Sequence, residues 1–211
     1  MTIWLAALMG LIQGLTEFLP VSSSGHLVIA QSLLGTDVEQ NYILFDVLLH
    51  FGTLISVCVC FWQDIKDLFF EFLALMKDIA HGKPDINKNG SCRMLVMLII
   101  ATVPMVLVPL FSDHIESVFS STLIVGFMLI VTAVLLVLAD IVKKGKKNAE
   151  SATWLDALIV GLVQLVAVIP GISRSGSAIS SGMMRGFDRP FAVKFSFLLS
   201  IPVIVGANIF S

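Results

Sequence analysis

Two serine- and glycine-rich segments interrupt long apolar runs of this sequence, and they carry most of its candidate chemistry. The first break is residues 20–26, Pro-Val-Ser-Ser-Ser-Gly-His, and the second break is residues 170–176, Pro-Gly-Ile-Ser-Arg-Ser-Gly. A broken helix at membrane depth is tolerated only where protein or a water-filled cavity surrounds the exposed backbone. Ionisable residues at that depth indicate a functional site. The two breaks are therefore the predicted site.

Arg174, in the second break, is the sharpest single candidate. Its planar guanidinium matches the oxygens of a phosphate group, and a helix that starts after the break would present free N–H groups to an anion. Glycines nearby would let the backbone approach a ligand closely. The neighbouring candidates for substrate binding are Gly171, Ser173, Ser175, Gly176 and Ser177. Phosphate binding is favoured over a purely structural pair between Arg174 and Glu17.

The first break offers acid, base and hydroxyl chemistry. Gln13 and Glu17 lie four residues apart before it, so they share one helix face. Such a pair of oxygen-bearing side chains can hold a hard divalent cation or position a water, although a helix-capping or inter-helix role is the alternative. His26 suits proton transfer or attack on phosphorus. The remaining candidates of this break are Ser22, Ser23, Ser24 and Gly25.

Other polar residues receive structural interpretations. Asp46 and His50 also share a helix face, and we favour a role in tying helices together over a metal site or channel. Asp156 is a candidate helix N-cap. Arg185 and Arg189 are expected to anchor the topology, while Pro104 and Pro109 predict a kink.

Composition indicates a membrane protein. Of 211 residues, 57% are hydrophobic and 13% are charged, against about 45–50% and about 25% in soluble domains. The net charge of −2 and the lack of a basic stripe argue against nucleic acid as a partner. Three cysteines without metal-like spacing are expected to be inert.

The apolar runs predict an all-α, multi-pass membrane protein. The clear spans are Tyr42–Trp62, Met94–Phe111 and Thr122–Val142, with further apolar stretches at Leu155–Ile169 and Phe191–Phe210. One helix over residues 3–34 would be roughly 48 Å long, which exceeds a hydrocarbon core of ~30 Å. This first segment must therefore turn back or be broken.

Lysine and arginine distribution predicts the orientation. Lysines and arginines lie in the loops Gln63–Arg93, Ile141–Thr153 and Arg185–Pro190, which are therefore predicted to be cytoplasmic. The loops Gly35–Asn41 and Ser112–Ser121 contain neither residue and are predicted to be external. An amphipathic helix is predicted at Asp64–Ile79.

An internal repeat relates the two breaks. Gly10–Gly25 aligns without gaps to Gly161–Gly176, a shift of 161 − 10 = 151 residues. The orientation of the loops makes this an inverted-topology repeat with two broken, re-entrant helices, which would face each other near the midplane. We expect one transmembrane domain over residues 1–211, with repeats at about 1–140 and 151–211, the second being short at its C-terminal end.

The motifs at residues 13–26 and 170–176 resemble the two signature motifs of the undecaprenyl-diphosphate phosphatase family, also called the bacitracin-resistance family. The likeness extends over Phe45–Trp62, residues 100–104 and Trp154–Asn208. The resemblance implies a multi-pass enzyme of the bacterial inner membrane that removes the terminal phosphate of a polyprenyl diphosphate and recycles the cell-wall lipid carrier. Members of the family usually continue beyond the length of this chain, in agreement with the short second repeat.

The resemblance also implies an outward-facing site with a divalent metal, usually magnesium or calcium. By motif position Glu17, Ser23, His26 and Arg174 match the family's implicated catalytic residues, and Gln13 matches a Glu or Gln position beside Glu17 in the expected metal site. The lipid bilayer and the polyprenyl diphosphate are the expected partners, and a homodimer stays open.

Several mechanisms and functions stay open at this point. The nucleophile is Ser23 activated by His26 or Glu17, His26 itself, or a metal-bound water. A polyprenyl-phosphate transporter or flippase would need the same phosphate clamp and is the main alternative. An acid-phosphatase-type lipid phosphatase is disfavoured, because no second histidine follows Arg174 closely.

Overall fold

A computed structural model describes residues 2–34, 40–82, 85–86, 88–111, 121–142 and 144–210. The side chains of residues 40–44, 46, 47, 111 and 207–210 are outside the description, as are most of the two predicted external loops. Within the described residues the chain is helical, without a strand beyond one bridge between Lys147 and Phe187. The all-α class is therefore confirmed.

The chain begins with helices α1 (Ile3–Phe18), α2 (Ser23–Leu33), α3 (Gln40–Cys60), α4 (Trp62–Ala80) and α5 (Gly90–Thr102). A 3₁₀ segment at Val103–Phe111 extends α5. The helices that follow are α6 (Thr122–Ile141), α7 (Trp154–Val166), α8 (Arg174–Met184) and α9 (Arg189–Phe210).

Several of these helices are long and apolar enough to cross a membrane. In the described residues they are Gly90–Leu110, Thr122–Ile141 and Arg189–Gly206. α3 and α4 form a further apolar pair, bent by 83° between Leu48–Cys60 and Trp62–Ala80. α4 has charged residues on one face and exposed Phe69, Leu73 and Met76 on another, so the predicted amphipathic helix is confirmed. Together these helices show a multi-pass membrane protein.

The prolines of the second span change the type of helix. Proline has no N–H to donate to the carbonyl four residues earlier. α5 accordingly ends at Thr102, and the chain continues as a 3₁₀ helix that contains Pro104 and Pro109. The structure shows this change of helix type at the prolines, and the predicted kink stays a prediction.

Two short helix pairs hold the breaks. α7 has 13 residues, about 20 Å of helix, which is too short to cross a bilayer alone. α1 packs against α2, and α7 packs against α8, so each pair forms a hairpin with a break at its turn. The same offset relates the starts of the four helices, since 154 − 3 and 174 − 23 both equal 151.

The helix caps follow the repeat as well. Thr2 caps α1 and Thr153 caps α7, while Ser22 caps α2 and Ser173 caps α8. The internal repeat thus exists at the level of helix bounds and caps. The outer limits of the repeats and their opposite orientation in the membrane stay predictions.

A hydrophobic core lies around the second hairpin. Most of its buried residues come from α5, α7, α8 and α9. Phe187, from the loop between α8 and α9, forms a row of rings with Phe191 and Phe195 of α9, with centroids 4.7–5.8 Å apart. A Cβ on Gly161 of α7 would lie 2.3 Å from the Ala101 carbonyl oxygen. Glycine therefore allows α7 to contact the backbone of α5 directly, which fixes the hairpin that presents Arg174.

Candidate functional site

The two breaks contact each other through their backbones. A Cβ built on Gly25 would lie 3.0 Å from the Gly171 Cα, and one built on Gly176 would lie 2.7 Å from the Pro20 carbonyl oxygen. Since 20 + 151 = 171 and 25 + 151 = 176, the two contacts are equivalent under the repeat. Such reciprocity is the mark of a two-fold interface. The prediction that the breaks meet is confirmed.

Thr132 of α6 holds the second break in place. Its buried hydroxyl donates to the Gly171 carbonyl at 2.9 Å and accepts from the Ser173 N–H at 2.9 Å. Gly171 has φ +93°, and a Cβ there would lie 2.5 Å from the Val125 carbonyl oxygen. One threonine thus satisfies two backbone groups that hydrocarbon would leave without partners.

Both helices that follow the breaks start from a serine cap. The Ser22 hydroxyl accepts from the Gly25 N–H at 3.3 Å, and the Ser173 hydroxyl accepts from the Gly176 N–H at 3.0 Å. Ser22 has φ +70°, whereas Ser173 has φ −71°. A left-handed serine costs on the order of 1–3 kcal/mol, so strain is concentrated in the first break. The structure gives both serines a capping role, and their substrate contacts stay predictions.

The other serines predicted to bind substrate lie beside these caps. Ser24 lies 3.3 Å from Ser22 and Ser175 lies 3.4 Å from Ser173, hydroxyl to hydroxyl. Ser177 is buried, and its carbonyl accepts from the Ser181 hydroxyl at 2.7 Å. Ser24 and Ser175 are therefore better placed than Ser177 to reach a ligand, because both are half-buried.

Glu17 joins the two breaks. Its Oε1 accepts from Arg174 Nη2 at 2.9 Å. Its Oε2 accepts from Ser23 Oγ at 2.5 Å and from Gln13 Nε2 at 3.1 Å. The exposed fractions of the two charged side chains are 13% for Glu17 and 22% for Arg174. Four of the predicted site residues therefore form one charged cluster in the apolar body of the protein.

His26 is oriented by its own break. Its Nδ1 lies 2.8 Å from the Ser22 carbonyl oxygen. A carbonyl only accepts, so Nδ1 carries the hydrogen in this arrangement, and a neutral ring then keeps a lone pair on Nε2. This is the form of histidine that can take a proton from a reacting group.

His50 borders the charged cluster. The sequence favoured a role in tying helices together, and its Nε2 on α3 lies 3.9 Å from Glu17 Oε2 on α1, which agrees with that role. The side chain of Asp46, its partner in the sequence motif, is outside the described residues. The sequence shows a histidine inside an apolar span, but it does not show which neighbouring helix that histidine faces.

Gln13 and Glu17 carry oxygen atoms of the type that binds a hard divalent cation. Gln13 is 1% exposed, and its Oε1 is buried without a hydrogen-bond partner. No group of three or more His, Cys, Asp or Glu residues forms a metal site within the described ranges. Magnesium is usually held by one or two carboxylates together with substrate phosphates. Gln13 Oε1 and Glu17 are therefore suitable ligands for a cation shared with a phosphorylated substrate.

A separate charge cluster fixes the far end of the second hairpin. The sequence suggested Asp156 as the N-cap of α7, but the N-cap is Thr153; Asp156 completes the capping box from the third position of the helix. Its fully buried carboxylate also accepts from Lys147 Nζ and Arg185 Nε, each at 2.8 Å. Arg185 is thus tied to the start of α7, and Arg189 pairs with Asp140 at the surface.

Comparison with known proteins decides the family. The sequence profile of the bacitracin resistance protein BacA family matches residues 6–211. This chain belongs to that family.

Its curated relatives in the family are called undecaprenyl-diphosphatase. The protein of Alkaliphilus metalliredigens is 48% identical over all of this chain and 76% of its own length. The protein of Halothermothrix orenii is 43% identical over 99% of this chain and 74% of its own length. The protein of Carboxydothermus hydrogenoformans is 44% identical over 97% of this chain and 71% of its own length. The chain thus spans about three quarters of the length of the relatives it matches.

We expect the substitution Thr132→Val to destabilise the protein more than Thr102→Val does. Thr132→Val leaves the Gly171 carbonyl and the Ser173 N–H without partners, at about 1–3 kcal/mol for each group. The Thr102 hydroxyl donates to the Leu98 carbonyl of its own helix, so loss of this hydroxyl should change the free energy of unfolding little. Reversible unfolding in mixed micelles measures the difference. Equal stability of the two variants would contradict the role of Thr132.

Proposed function

We propose that this chain is a membrane phosphatase that hydrolyses undecaprenyl (polyprenyl) diphosphate to the monophosphate and phosphate, and so recycles the lipid carrier of cell-wall synthesis. The ion pair between Glu17 and Arg174 is the main support for this function. It brings an acid from one break and a phosphate-binding group from the other break together. The name shared by the relatives supports the same reaction.

The proposed phosphate clamp is centred on Arg174. Its guanidinium presents parallel N–H donors that match two oxygens of one phosphoryl group. Arg174 is also the first residue of α8, and Ser23 is the first residue of α2, so two helix N-termini with their partial positive charge lie at the breaks. An incoming diphosphate would exchange the Glu17 carboxylate for its own oxygens at the guanidinium.

Ser23 is the nucleophile that the geometry favours. Its hydroxyl already donates to Glu17 at 2.5 Å, so a base lies in line with its proton. The Ser23 oxygen would bond to the terminal phosphorus as the anhydride bond breaks, and the polyprenyl monophosphate would leave. Water would then release phosphate from Ser23. His26 Nε2 offers a second position for the transferred proton.

A magnesium or calcium ion belongs to this proposal. Gln13 Oε1 and Glu17 would hold it together with phosphate oxygens. When bound, the ion would offset the charge of the diphosphate. Arg174 and the helix N-termini would share that task, since one guanidinium cannot balance a whole diphosphate.

We place the enzyme in the cytoplasmic membrane with its site open to the outer side. Lysines and arginines in the loops that follow α4, α6 and α8 support this orientation. The substrate, a lipid with a charged head, would then enter from the outer leaflet. The transporter interpretation shares the clamp, but the names of the relatives support hydrolysis instead.

We expect Arg174→Lys to lower kcat/KM for polyprenyl diphosphate by about 10²–10³-fold, because a lysine keeps the charge and loses the two-pronged contact. Arg189→Lys is the matched control, since Arg189 forms an exposed surface pair with Asp140, and it should keep the parent rate. Phosphate release in reconstituted vesicles measures both variants. Parent activity in Arg174→Lys, or lipid translocation by the parent without phosphate release, would contradict the proposal.

We expect EDTA to abolish phosphate release and added magnesium or calcium to restore it. Gln13→Ala should raise the metal concentration needed for half-maximal rate, because it removes the buried Oε1. Gln164 is the counterpart of Gln13 in the second repeat, since 13 + 151 = 164, and Gln164→Ala is the matched control. Phosphate release measured at increasing metal concentration gives the shift. Unchanged activity in EDTA would rule out the metal.

A further inference from the structure

We propose that His50 is a further substrate-positioning residue, whose imidazole donates a hydrogen bond to the diphosphate held at Arg174. The proposal rests on the proposed function, because it assigns a residue to the same site. His50 belongs to neither break. It comes from α3, which packs against α1 and α9.

The imidazole of His50 borders the charged cluster around Glu17. Its Nε2 lies 3.9 Å from Glu17 Oε2. The exposed fraction of the His50 side chain is 25%, so the ring borders the cluster without being enclosed by it. A phosphate oxygen near Glu17 would be within reach of this nitrogen.

The arrangement around Glu17 shows which side needs another donor. Arg174 occupies Oε1, while Ser23 and Gln13 donate to Oε2. All of these donors come from α1 or from the helices that follow the breaks. A diphosphate has more oxygens than one guanidinium can serve, and His50 would add a donor from α3.

His50 lies within the regular helix α3, which contacts α1. Its ring therefore has a defined place relative to Glu17. Pre-organised donors of this kind lower the cost of binding an anion.

A purely structural role for His50, as a tie between α3 and α1, makes a different prediction. A tie would be lost in every substitution and would lower stability. A donor to phosphate would be lost in His50→Phe, which keeps a ring of similar size, and kept in His50→Gln, whose amide can still donate.

The test measures binding and turnover separately, on the full chain in detergent micelles. Calorimetry with inorganic pyrophosphate gives Kd, and phosphate release from polyprenyl diphosphate gives KM and kcat. We expect His50→Phe to raise the pyrophosphate Kd and the KM at least about tenfold, or about 1.4 kcal/mol, with kcat within about threefold of the parent. His50→Gln should stay near the parent.

His81→Phe is the matched control, because His81 is exposed at the end of α4 and its ring contacts the Lys77 carbonyl. It should leave Kd and KM unchanged. A parent-like pyrophosphate Kd in His50→Phe would overturn the proposal. So would equal losses of affinity and of unfolding temperature in His50→Phe and His50→Gln. If the parent released no phosphate from the lipid, the proposed function would fail, and the pyrophosphate Kd would still decide the role of His50.

Discussion

The ion pair between Glu17 and Arg174 joins the two hairpins that carry the breaks. The two residues lie 157 positions apart, in separate hairpins of a membrane protein. Burying either charge alone in the apolar interior would cost much free energy. Pairing the charges lowers that cost only if the two breaks meet. Their bare backbone must also be satisfied, which the serine caps and Thr132 achieve. The same contacts that make the breaks tolerable thus assemble the acid, hydroxyl and guanidinium.

The repeat explains the scaffold, and its divergence explains the chemistry. Helix starts, serine caps and glycine contacts recur with the shift of 151 residues. At the reactive positions the copies differ: the counterpart of Glu17 is Val168, and the counterpart of Ser23 is Arg174. The first copy therefore supplies the carboxylate and the hydroxyl, and the second supplies the cation. A symmetric pair of hairpins with identical breaks would place like groups together, whereas these two copies place opposite charges side by side.

The sequence predicted the breaks, their meeting and the residues of the charged cluster, because a polar break inside an apolar run has few physical explanations. It did not single out Thr132, and it did not place His50 beside Glu17. Thr102, like Thr132, is a threonine in an apolar helix, but its hydroxyl returns to its own helix. Which threonine crosses to another element depends on the rotation of α6 against the second hairpin, and that rotation is set by tertiary packing. The place of His50 beside Glu17 was not predicted for the same reason, since its face on α3 matters only once α1 lies beside it.

A heavy oxyanion would locate the proposed anion site between the two breaks. Tungstate has the tetrahedral shape of phosphate and scatters X-rays anomalously, so crystals grown with it would show where an anion binds. We expect an anomalous peak within hydrogen-bond distance of the Arg174 guanidinium and beside Glu17. A peak elsewhere, with the Glu17–Arg174 pair intact and no anion between the breaks, would contradict a site at this position.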